Sequence, residues 1–162
     1  MEKWLSDLDV YAWRFRGNPK NYSGYHLTAT PAACEALLRM ANLLLVEGPG
    51  SGRTVPLKAV TPDIVAKVDW ALTYARLTKM RVRVVEASEQ IRQMCFLHEG
   101  ATLNCRFTPG YLNEFRDALV YLHEGVGDFE IGPDPHGPMG EQDKVSECLW
   151  FWACFSDRRV GD

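Results

Sequence analysis

Apolar and polar positions along this chain recur at two periods, and the two alternate. Residues 10–16 (VYAWRFR) put Tyr11, Trp13 and Phe15 on one side and Ala12, Arg14 and Arg16 on the other, the period-two pattern of a half-buried strand. A loop opened by Gly17-Asn18-Pro19 leads to a second strand at 24–29. Thr30 then stands at a helix N-cap and Pro31 at the first helical position, where its missing N–H is no loss. The helix runs to Val46 and stops at Gly48. It is apolar nearly all round, with a narrow stripe of Glu35, Arg39 and Asn42, which predicts a largely buried helix.

The pattern then repeats its punctuation. A Gly-rich loop at 48–52 precedes a short strand at 55–60. Thr61-Pro62-Asp63 opens a second helix, read as continuing to about Lys79. On it Ile64, Val68, Ala71, Leu72 and Ala75 form one apolar stripe. Trp70, Tyr74 and Leu77 form another, displaced round the axis. Residues 80–87 alternate again, with Arg81 and Arg83 outward and Val82 and Val84 inward. Segments 90–98 and 101–107 read as a hairpin about Glu99-Gly100. Thr108-Pro109 opens a third helix that ends near Glu124-Gly125, and a short strand follows at 128–131. The last strand, 145–155, is apolar on both faces and is expected to be central and covered on both sides.

These elements give an α+β fold: a mainly antiparallel sheet of six to eight strands with three helices, in one domain over 1–162. Two stretches, about 10–60 and 90–155, share the plan hairpin, Thr-Pro, helix, Glu-Gly, strand. They read either as two related ββαβ units or as common helix punctuation recurring. In the first case the cleft between them is the place to look for a site.

Composition narrows the classes. The chain has 162 residues, 46% of them hydrophobic and 24% charged, and a net charge of -3. That suits one globular domain with a core of its own. No apolar run is long enough to span a membrane. An acidic chain lacks the cationic surplus that nucleic-acid affinity needs, so a nucleic-acid partner is not expected. The first residues, MEKWLSDLDV, carry acids and no long apolar stretch, which points to the cytoplasm. Five cysteines, an odd number without a C-x-x-C spacing, point to reduced thiols and to no metal site. No cofactor is expected.

Candidate chemistry is sparse. The segment GPGSGRT fails the phosphate-loop spacing and follows a helix instead of opening one, so it reads as a linker. If Leu97 faces Leu103 in the hairpin, Cys95 faces Cys105 on the inner side with Phe107, and His98 points the other way. The loop at 132–144 is long and proline-rich, and its Asp134 and His136 are the candidates for acid/base chemistry. Trp150 and Trp152 would line an apolar wall beside it. Arg76, Lys79, Arg81 and Arg83 form a basic run, read as a solvated face or a seat for an anionic partner; Arg14 and Arg16 extend it if the strands are neighbours.

Two functions follow. The first is a non-enzymatic binding protein that docks a protein partner, or a second copy of itself, through Trp70, Tyr74 and Leu77 with Arg76 at the edge. A basic partner that the acidic chain neutralises is one example. The alternative is a small-molecule enzyme or sensor under the 132–144 loop, using Asp134, His136, Trp150 and Trp152.

Overall fold

The computed structural model describes residues 2–16, 23–69, 73–133 and 147–153, with 66–69 as backbone only. After a 3-10 turn at Lys3–Leu5 come β1 (Val10–Phe15), β2 (Tyr25–Ala29), α1 (Pro31–Glu47), β3 (Gly52–Pro56) and α2 (Pro62–Asp69). They are followed by β4 (Tyr74–Arg76), β5 (Lys79–Val84), β6 (Met94–Glu99), β7 (Thr102–Phe107), α3 (Pro109–His123), β8 (Phe129–Ile131) and β9 (Leu149–Phe151). The class is α+β. The expected single sheet is two mixed sheets, mostly antiparallel: β4-β1-β2-β9-β8 and β3-β5-β7-β6.

In each sheet an antiparallel hairpin is joined by a parallel neighbour, which in turn carries an antiparallel strand. In the first these are β1–β2, β9 and β8; in the second, β6–β7, β5 and β3. Of the strands between α1 and the later hairpin, β3 and β5 therefore complete that hairpin's sheet while β4 returns to β1, and the strands after α3 complete the sheet of the earlier hairpin. A chain that follows a helix back along its own hairpin would build a local unit; here each half closes on the other.

Both long helices begin as their Thr-Pro pairs dictate. The Thr30 hydroxyl accepts the Ala33 N–H at 3.3 Å, and Pro31 occupies the first turn. Thr108 precedes Pro109 in the same extended conformation, but its hydroxyl donates to the Arg92 and Gln93 carbonyls and not to the helix. One apolar core joins α1 (Leu37, Met40, Leu44), α3 (Leu112, Phe115, Leu119) and the inner faces of both sheets. Phe115 bridges them, with Phe107 of one sheet 5.2 Å and Phe151 of the other 6.2 Å from its ring. The expectation that α1 is covered nearly all round is corrected: Leu43 is 37% and Val46 86% exposed.

Three further expectations need correction. The second helix stops at Asp69 instead of running to Lys79, and residues 74–76 are an edge strand paired with β1, Tyr74 opposite Phe15. The free backbone edge of β1 takes this segment, and a strand satisfies its N–H and C=O groups as well as a helix would. The strand expected at 55–60 lies three residues earlier, so Gly52, Arg53 and Thr54 belong to a sheet and not to a linker. In the β6–β7 hairpin Glu99 pairs with Thr102 across a two-residue turn, with Gly100 at φ +57°. That register is one residue from the expected one and moves every partner to the other face. Cys105 therefore faces Phe96 and Cys95 faces Arg106. The two thiols lie on opposite sides of the sheet.

Of the last strand, residues 149–151 are extended between β2 and β8, and Leu149 and Phe151 are fully buried. Gly24, just before β2, shows how tightly this segment packs. It has φ +105°, and a Cβ there would collide with the Cys148 carbonyl oxygen. No described helix is long and apolar enough to cross a membrane.

Candidate functional site

The outer face of the five-stranded sheet is built from alternate residues of four strands. Tyr11, Trp13 and Phe15 come from β1, His26 and Thr28 from β2, Trp150 and Trp152 from β9 and its end, and Tyr74 from β4. One row across the sheet reads Arg76, Trp13, His26, Trp150, Glu130. His26 is fully buried in its middle. Its ring stacks on Trp13 (5.4 Å, 16°) and on Trp152 (6.1 Å, 25°), with the Phe15 edge at 4.7 Å. The Trp152 indole N–H donates to His26 Nδ1 at 3.0 Å, so the neutral imidazole carries its proton on Nε2. Ile64 and Val65 of α2, with Val60, cover this face. The Trp13 indole N–H is buried without a partner among the described residues.

The structure thus unites candidates that the sequence kept in separate hypotheses. Tyr74, Arg76, Trp150 and Trp152 share this face. Tyr74 is no free aromatic, since its hydroxyl donates to the Val60 carbonyl at 3.3 Å. Leu77 leaves the group: it is 3% exposed and sits in the main core. The exposed helical stripe of Tyr74 and Leu77 therefore does not form. Trp70, Asp134 and His136 lie outside the described residues, as do Cys154 and most of the 132–144 loop.

The outer face of the four-stranded sheet is of another kind. Its rows read Gly52, Arg83, Arg106, Cys95; then Thr54, Arg81, Asn104, Leu97; then Pro56, Lys79, Thr102, Glu99. Lys79, Arg83, Leu97 and Glu99 are exposed, and Arg81 and Arg106 half-buried. Among the described residues none of these four cations takes part in an ion pair, whereas Arg14, Arg53 and Lys58 elsewhere all do. Arg83 and Arg106 stand directly opposite each other on neighbouring strands. A groove of about 640 Å³ runs along the β3 edge, lined by Gly50, Gly52, Thr54, Arg81, Arg83 and Val85. A Cβ on Gly52 would meet the Arg83 side chain at 2.9 Å, so the missing side chain is what seats that arginine. The condition under which Arg14 would extend this surface is not met: β1 lies in the other sheet, and Arg14 pairs with Glu147.

The thiols are mostly inert packing. Burial pushes Cys34 up to about 12 and Cys105 higher still, and Cys148 goes up to about 11 through burial and the charge of Glu130 beside it. Cys95 alone of the four described stands on the basic face. No cluster of His, Cys, Asp and Glu among the described residues could hold a metal ion. No family model, curated protein or solved structure matches the chain. Its function must be argued from these faces.

Proposed function

We propose that the chain is a cytoplasmic, non-enzymatic binding protein that docks an acidic protein through the open outer face of the four-stranded sheet. The observation that carries this is the cross-strand pair Arg83 and Arg106, flanked by Arg81 and Lys79, none of them in an ion pair among the described residues. Like charges directly opposite in a sheet are unfavourable by a few tenths to about 1 kcal/mol. An acidic partner turns that cost into a gain, because one carboxylate can take hydrogen bonds from both guanidinium groups. A protein fits better than a nucleic acid. No aromatic ring stands in these three rows for a base to stack on, and Leu97, 41% exposed, offers an apolar contact beside the cations. A second copy fits worse, since two such faces brought together would repel. The partner's sign is thus the reverse of the basic one that net charge suggested.

The test uses polyglutamate as the acidic probe and a single-stranded oligonucleotide as the competing polyanion, read by fluorescence anisotropy at several salt concentrations. Polyglutamate binding should fall with salt and drop at least tenfold in Arg83→Glu and Arg106→Glu, with Arg116→Glu on α3 as the unaffected control. Tighter binding of the oligonucleotide, or equal binding by the variants, would refute the reading.

A second reading keeps a small-molecule site on the aromatic face, favoured by the buried Trp13 N–H, which has no partner among the described residues. It would hold Asp134 and His136 with Trp150 and Trp152. In a thermal-shift screen of metabolites, His136→Ala would then abolish the stabilising hit while leaving polyglutamate binding intact.

A further inference from the structure

On the β3 side of the basic face the charges converge on a cavity. The groove of about 640 Å³ there is walled by residues 50–54 and by Arg81, Arg83, Val84 and Val85, and no carboxylate is among them. Of its three arginines, Arg53 is held by Glu2 and Glu47. Arg81 and Arg83 form no ion pair and no side-chain hydrogen bond among the described residues. They stand two apart on β5, so both side chains rise from the outer face, with Cα atoms about 7 Å apart. Arg83 leans over Gly52: a Cβ there would lie 2.9 Å from its Cγ, and the missing side chain gives it entry to the groove. Thr54, opposite Arg81, adds a hydroxyl that bonds no described residue.

The walls therefore carry two uncommitted positive charges and a spare hydroxyl, with nothing negative beside them. A single carboxylate balances only one of these charges. A phosphomonoester carries about −1.5 to −2 at neutral pH, and its three acceptor oxygens can take a fork from each guanidinium and a bond from the hydroxyl. Arg83 belongs both to the groove and to the cross-strand pair with Arg106, so the groove opens onto the face where the partner lies. We propose that the acidic protein docked on this face inserts a phosphorylated side chain into the groove, its phosphoryl group between Arg81 and Arg83 above Gly52. This rests on the docking of an acidic protein and adds a control to it: phosphorylation of the partner sets its affinity.

The test compares three fluorescent glutamate-rich peptides of one sequence, with phosphoserine, glutamate or serine at the centre, by anisotropy with the full chain. The phosphoserine peptide should bind at least tenfold tighter than the glutamate peptide, and the serine peptide weakest. Arg81→Gln and Arg83→Gln should each remove most of that preference. Arg106→Gln, outside the groove, should weaken all three peptides and keep it. Lowering the pH from about 7.5 to about 5 should shrink the preference, because the phosphoryl group gives up its second charge near pH 6 while glutamate stays ionised. Polyglutamate binding without a phosphoserine preference would overturn this inference and leave the docking reading standing. Failure of polyglutamate and of every peptide to bind would overturn both. Free phosphoserine competing as well as the phosphopeptide would refute a docked side chain and make the groove a small-molecule site.

Discussion

Replacing Trp152 by Phe tests whether the buried His26 is held by hydrogen bonding or only by packing. The substitution removes the indole N–H that His26 Nδ1 accepts at 3.0 Å and keeps an aromatic ring on the same strand. A buried acceptor left without its donor costs about 1–3 kcal/mol. Losing part of a ring that is 8% exposed adds roughly 1–2 kcal/mol of transfer and cavity cost. The expected total is about 2–5 kcal/mol. At this chain length that lowers Tm by roughly 4–20 °C. His26→Phe should cost a similar amount, because it orphans the indole N–H instead. The double variant removes both polar partners together and should be less unstable than the sum of the singles by about 1–2 kcal/mol. Urea unfolding followed by circular dichroism measures all three. Single costs below about 0.5 kcal/mol, or strict additivity, would show that the bond contributes nothing.

Other expectations concern backbone, pH and thiols. Gly24→Ala should lose about 2–4 kcal/mol in urea unfolding, since both its φ of +105° and the Cys148 carbonyl exclude a side chain; a neutral result would mean that the β2–β9 contact is looser than described. Tyr25, Cys34, Cys105 and Cys148 all have raised values, so the folded state holds their protons longer than the unfolded one. Their contribution to stability is whole below about pH 9 and falls as pH rises, for Cys34 until about 12. Tm measured from neutral to strongly alkaline pH should decline, and less steeply in Cys34→Ala. In a Cys154→Ser background, a thiol reagent should label Cys95 first and Cys34 and Cys105 only on unfolding, as mass spectrometry of digests will show.

The sequence disclosed what short-range rules govern. Alternation in 10–16 and in the last strand sorted the aromatic residues onto the right faces, and the Thr-Pro pairs located all three helix starts to the residue. What failed depended on distant partners. Residues 70–77 satisfy a helical apolar spacing, yet β1 had a free edge for Tyr74–Arg76, and nothing local to either segment records that they meet. The cysteine pairing failed by one residue because a two-residue turn at Gly100-Ala101 shifts the register. The Tyr25–His98 contact joins residues 73 apart in different sheets. Its one local trace was the placing of His98 on the face opposite Cys95, which the structure shares.

The crossed connectivity has a kinetic consequence. Thr28 and Trp152, hydrogen-bonded neighbours, are 124 residues apart in the chain, and β9 fills the gap between β2 and β8. Closing so long a loop precedes the reward of the contact, and topologies rich in such contacts fold slowly. On the ribosome, β1 and β2 emerge well before β9 and wait for it with an open edge. Until then that edge is free to pair with another chain. The α1 and α3 core can form before it, so the five-stranded sheet should be the final part to lock, and crowded synthesis of this protein should be where it is lost.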